Sequence, residues 1–97
     1  MKIEKAAVAG TLESSDIQIT LSQSNNGIQI NLQSDVQKEF GDQIKSVIIS
    51  TLKNMKIKNV DVKAVDKGAL DCVIKARTIT AAQRATGTTG EPVWGVL

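Results

Sequence analysis

Asp16-Ile17-Gln18-Ile19-Thr20-Leu21-Ser22-Gln23 and, beyond Ser24-Asn25-Asn26-Gly27, Ile28-Gln29-Ile30-Asn31-Leu32-Gln33 are the stretches that decide the fold. In both, aliphatic residues alternate one for one with polar residues. That period of two places one row of side chains on a core and the other in water, which is a half-buried strand. Asn26-Gly27 between them tolerates positive φ, so the sequence predicts an antiparallel hairpin.

Downstream the period changes. Val36, Phe40, Ile44, Val47, Thr51 and Met55 recur at steps of three and four, an apolar stripe along a helix that covers one face of the sheet. Ser34 with Gln37 resembles a capping box, Asp35 suits the first turn, and Lys53 and Lys56 suit the end. The stripe runs through Gly41, although glycine in a helix costs about 1 kcal/mol relative to alanine.

Alternation then returns. Val60 and Val62 alternate with Asp61 and Lys63, and Leu70, Cys72, Ile74 and Ala76 with Asp71, Lys75 and Arg77. Asp66-Lys67-Gly68 suits a tight turn with Gly68 at positive φ. A helix over 68–86 competes, because Leu70, Val73, Ile74 and Arg77 also fit its period. The preferred reading is a strand through Arg77 and a short helix over 78–86. Upstream, Ile3, Ala6 and Val8 suggest an edge strand before Gly10. Residues 87–97, with three glycines, Pro92 and Trp94, read as a flexible C-terminal tail after one domain over 1–86. The expected fold is α+β, in two layers: an antiparallel sheet packed by one long and one short helix.

Composition narrows the function. The 97 residues carry 12 basic and 10 acidic side chains, net +2, and the only aromatics are Phe40 and Trp94. So weak a net charge gives no strong field for nucleic acid or membrane. A small nucleic-acid-binding module, suggested by the lysine-rich second half, would lack the aromatics that stack bases. The longest apolar runs are too short to span a bilayer, and Met1-Lys2-Ile3-Glu4-Lys5 lacks the apolar stretch of a secretory signal. A single cysteine fits a reducing compartment, so the expectation is a cytoplasmic protein.

Histidine and tyrosine are absent. Serine and cysteine nucleophiles need a neighbouring base, most often histidine, so a self-contained enzyme is disfavoured and no catalytic residue is assigned. No metal-ligand cluster stands out. Asp66 and Asp71 read as turn chemistry, and Cys72 as a buried thiol on a strand face.

Ala9-Gly10-Thr11-Leu12-Glu13-Ser14-Ser15-Asp16 joins two strands without being a typical hairpin turn. It holds the Ser14 hydroxyl where it can be exposed, with Glu13 and Asp16 as a negative collar for a basic partner. This segment resembles the prosthetic-group attachment segment of citrate lyase acyl carrier proteins, the gamma subunits. Val65-Asp66-Lys67-Gly68-Ala69-Leu70-Asp71-Cys72, with Ala76-Arg77 beyond, resembles a second block of that family. Val36-Gln37-Lys38-Glu39-Phe40-Gly41 resembles a third.

The resemblance implies a carrier without catalysis of its own. Ser14 would bear a phosphoribosyl-dephospho-coenzyme A group through a phosphodiester, and Glu13, Ser15 and Asp16 would flank it as recognition residues. The implied partners are an alpha subunit exchanging acetyl for citryl, a beta subunit cleaving the citryl thioester to oxaloacetate, and a transferase that attaches the group. Ser15 stands where family members often have glycine, which leaves two adjacent hydroxyls; the Leu-Glu-Ser-x-Asp register favours Ser14. A malonate decarboxylase-type carrier has a related loop, and the Asp-Lys-Gly-Ala-Leu-Asp-Cys block favours citrate lyase.

Overall fold

The computed structural model describes residues 3–34 and 37–87, and of residues 37–39 the backbone only. Asp35, Val36, the Gln37 side chain of the expected capping box, and the expected tail beyond Gly87 lie outside the described residues. In chain order the elements are β1 (Ala7–Ala9), β2 (Ile17–Ser22), β3 (Ile28–Ser34), α1 (Gln37–Asn54), β4 (Val60–Asp66) and α2 (Asp71–Thr86). They form the expected α+β arrangement in two layers. The sheet order is β1-β2-β4-β3. Ile17, Ile19 and Leu21 of β2 and Val60, Val62, Ala64 and Asp66 of β4 are buried, while their alternates are more exposed. α2 packs on β1 and β2, α1 on β3, and the two helices on each other. One face of the sheet is therefore covered, and the other carries Thr20, Lys63 and Asn31 in a row across β2, β4 and β3.

Three expectations need correction. β2 and β3 do not form a hairpin, because β4 lies between them, antiparallel to β2 and parallel to β3, which makes the sheet mixed. Alternation marks a strand but not its partner. Skipping one strand means bridging about 10 Å, two sheet spacings, which the five residues from Gln23 to Gly27 span easily. Gly27 belongs to that arch: its N–H donates to Asn59 Oδ1 and its carbonyl accepts the Val60 N–H. The 18-residue α1 then supplies the long crossover that a parallel pair requires.

The second correction concerns residues 70–77, which are not a strand. α2 is a single 16-residue helix, so the helical alternative holds, and the second helix is not short. Its buried residues are Ile74, Thr78, Ile79, Ala81, Ala82 and Ala85, a helical rather than an alternating set. Asp71 stands in the first turn and Arg84 in the last, both favourable to the helix dipole. Gly87 closes the helix at φ 76°, donating its N–H to the Gln83 carbonyl. Cys72 is consequently exposed, at the start of a helix rather than on the inner face of a strand.

The third concerns burial. Ile44, Ile48, Thr51, Leu52 and Met55 are buried along and just beyond α1, but Phe40, one turn ahead of Ile44 on the same stripe, is 52% exposed near the start of the helix. In the edge strand Ala9 turns inward and Val8 outward. Among the described residues, no helix is long and apolar enough to cross a membrane.

The topology brings several ends together. β1, β3 and β4 run in one direction and β2 in the other, with Ile17, Asp66 and Ser34 level at one end. β1 leads into the 10–16 loop there, and the connections into both helices leave from the same end.

Candidate functional site

The loop between β1 and β2 is shaped by Gly10 first. Gly10 has φ 90°, and any Cβ on it would overlap the Ile17 carbonyl oxygen, so the chain can turn here only with glycine. The Thr11 hydroxyl then accepts the Glu13 N–H at 3.2 Å. Glu13 to Asp16 form a tight turn, with the Asp16 N–H donating to the Glu13 carbonyl at 3.2 Å. Ser14 and Ser15 are its two corner residues, and Ser15 is in the left-handed region at φ 67°. Glycine occupies that region without steric cost, whereas serine is strained there.

Asp16 holds the loop from within. Its Oδ2 accepts the Thr11 N–H at 3.1 Å, the Thr11 hydroxyl at 2.7 Å and an Arg77 Nη2 hydrogen at 3.1 Å. Its Oδ1 accepts the Ile17 N–H at 2.7 Å and the Arg77 Nε hydrogen at 3.1 Å. The two-point Arg77 contact fixes direction as well as distance. The Thr11 hydroxyl, and after it Arg77, lower the Asp16 pKa from 3.8 to about 2. The carboxylate is 13% exposed and engaged inside the molecule. Of the expected acidic collar, only Glu13 stands out in solvent.

A second tie fastens the loop to the sheet. The Ser15 N–H donates to the Lys67 carbonyl at 2.8 Å, and the Lys67 N–H to the Asp16 carbonyl at 2.8 Å. Lys67 itself is set by Asp66, which is 1% exposed and accepts the Ser34 hydroxyl and the Gly68 and Ala69 N–H groups. Asp66 is thus turn chemistry, with Gly68 at φ 92° as expected, and the Asp71 carboxylate takes the Gln43 amide at 2.9 Å.

Ser14 and Ser15 are both exposed corners of this frame, and neither hydroxyl makes a hydrogen bond among the described residues; of the two, Ser15 is tied through its N–H to Lys67. The structure brings Ser14, Glu13, Ser15 and Asp16, with Thr11 of the same segment, together with Lys67 and Arg77, which the sequence does not join to the site. The Lys67 block and Ala76-Arg77 were visible as separate patches. Nothing local in them signals that a backbone carbonyl at 67 and a guanidinium at 77 meet residues 15 and 16. Among the described residues, no group of three or more His, Cys, Asp or Glu could hold a metal ion. An exposed, unengaged oxygen on a braced loop suits covalent attachment.

Comparison with known proteins gives the family in two steps. The family described as "Malonate decarboxylase delta subunit (MdcD)", under the heading ACP, matches residues 4–85, so the chain falls in that acyl carrier class. Within it, similarity is high to proteins named "Citrate lyase acyl carrier protein". The one from Lactiplantibacillus plantarum is 69% identical, that from Oenococcus oeni 63%, and that from Leuconostoc mesenteroides subsp. cremoris 58%. Each alignment covers all 97 residues of this chain and the whole of the relative. This chain belongs to the citrate lyase acyl carrier protein family.

Proposed function

We propose that the chain is the acyl carrier subunit of a cytoplasmic citrate lyase, with a phosphoribosyl-dephospho-coenzyme A group joined through phosphate to Ser14 Oγ. The observation that carries the reading is the exposed Ser14 hydroxyl on a loop braced at both sides, by Asp16–Arg77 and by the Lys67 backbone. Once attached, the group supplies a thiol on a long flexible chain, which holds acetyl and citryl as thioesters.

The chain's own residues contribute position. Gly10 lets the loop turn, Asp16 and Arg77 hold it against α2, and Lys67 ties it to β4. A rigid anchor with a flexible arm raises the effective concentration of the acyl group at each site within reach. The two active sites belong to the alpha subunit, which exchanges acetyl for citryl, and the beta subunit, which cleaves the citryl thioester. A separate transferase attaches the group, with Glu13 the exposed acidic residue beside Ser14 that it can read. The protein itself is non-catalytic, consistent with a sequence without histidine.

The test is reconstitution with the partner subunits and citrate. Loaded wild-type protein carries an acyl group released by hydroxylamine and supports oxaloacetate formation, and Ser14→Ala does neither. Full activity with Ser14→Ala would refute the assignment.

A further inference from the structure

The two edges of the sheet are finished differently. β1 is three residues long, and the Arg84 guanidinium donates to its Val8 carbonyl at 2.8 Å. β3, the opposite edge, is seven residues long and pairs with β4 without a bulge. Every second residue of such an edge turns its N–H and C=O away from the neighbouring strand. No hydrogen bond from another described residue reaches that side of Ile28–Gln33. Proteins guard long edges with lysine, proline or a bulge, and Ile28-Gln29-Ile30-Asn31-Leu32-Gln33-Ser34 has none of these and no charge. Beside this edge lies a groove of about 570 Å³, lined by Ile28 of β3, Ile49 and Lys53 of α1, and Lys56, Ile57 and Lys58 beyond it. Ile28 and Ile30 are only half-buried, and so is Ile49, which stands outside the core set. The charged rim is wholly basic, three lysines and no acidic side chain. Lys56 holds φ 63° at the end of α1, where glycine or asparagine closes a helix at less cost.

We propose that β3 and this groove dock an extended, acidic segment of a partner subunit. Its backbone adds to β3 as a fifth strand, which gives affinity through main-chain hydrogen bonds. Aliphatic side chains at its alternate positions lie beside Ile28, Ile30 and Ile49, and carboxylates at one end meet Lys53, Lys56 and Lys58. Charge selects this occupant over a second copy of the chain. A second copy would offer β3 itself, which carries no carboxylate over Ile28–Ser34 to set against the lysines. The groove lies at the end of the sheet where β4 begins, and the Ser14 loop at the end where β4 finishes. One seven-residue strand, about 20 Å, separates the two ends. A partner held at the groove therefore leaves Ser14 uncovered and its arm free to travel. This inference rests on the carrier reading above.

The experiment assembles the full-length chain with the alpha and beta subunits of citrate lyase and follows backbone amide exchange and the affinity of the complex. In the complex, amides of Ile28–Gln33 are expected to exchange at least about tenfold more slowly than in the free chain. Lys53→Glu/Lys58→Glu, two changes at exposed side chains, is expected to weaken assembly at least about tenfold, and added salt to weaken the wild-type complex. Ser14→Ala should assemble as wild type does. Unchanged exchange in a complex that forms and cleaves citrate would overturn the docking surface and leave the carrier reading standing. So would wild-type affinity in the double variant. Slow exchange of β3 in the free chain that grows with protein concentration would assign the edge to a second copy, and slow exchange abolished by Trp94→Ser would assign it to the chain beyond Gly87; either overturns the proposal. A loaded wild-type chain that neither assembles nor supports cleavage overturns the carrier reading, and the docking surface with it.

Discussion

Gly10, Ser15 and Asp16 set the loop in three different ways, and each can be tested by one substitution. At Gly10 both φ and space exclude a side chain. Gly10→Ala is expected to cost about 2–3 kcal/mol in urea unfolding, since the backbone rather than a flexible side chain must move. Ser15 holds φ 67° without the freedom of glycine. Ser15→Gly should leave stability within about 1 kcal/mol of wild type, because relief of the strained φ offsets the added freedom of the unfolded chain. Asp16 makes stability depend on acid. Its folded-state pKa of about 2 lies below 3.8, so as pH falls the unfolded chain takes up the proton first. The stabilisation is complete above about pH 4 and is lost as pH approaches 2. Arg77 is 41% exposed, and with that screening the contribution is about 1 kcal/mol. Asp16→Asn is expected to remove this part of the acid slope in thermal unfolding followed against pH. Ser14 was legible as an exposed loop serine. The inward turn of Asp16 was not, because its partner Arg77 is 61 residues away in sequence and only the tertiary fold brings them together.

Strands were legible where one face is buried and one is wet. β2 and β4 are such strands, and their alternation matches the structure over Ile17–Ser22 and residues 60–63, whereas at the end of β4 the polar Asp66 is buried and Val65 is not. What alternation lacks is pairing, so the Ser24–Gly27 stretch read as a hairpin although it arches across β4. α2 failed for a related reason. Leu70, Cys72, Ile74 and Ala76 satisfy a period of two by coincidence, and of the four only Ile74 is buried; the alanines that seat α2, Ala81, Ala82 and Ala85, lie in the part that reads as helix either way. Alanines carry little hydrophobic weight in a pattern, yet here they let α2 pack closely on the sheet and α1. Ala82 is fully buried, so Ala82→Leu is expected to cost about 1–3 kcal/mol by overpacking, read from the urea midpoint. The same change at exposed Ala76 should be close to neutral.

Across the whole molecule, the sheet leaves one polar face open and gathers its special features at one end. β1, β3 and β4 finish there, and the Ser14 loop is tied to the Lys67 turn there. On the proposed reading, the scaffold supplies a fixed point from which a tethered group can travel. The central claim is that this point is Ser14 Oγ, and intact mass with peptide mapping after co-expression with the attaching transferase addresses it most directly. Wild type and Ser15→Gly should each gain one adduct on the peptide containing residue 14, and Ser14→Ala should gain none. An adduct retained by Ser14→Ala, or no adduct on wild type in the presence of active transferase, would contradict the account.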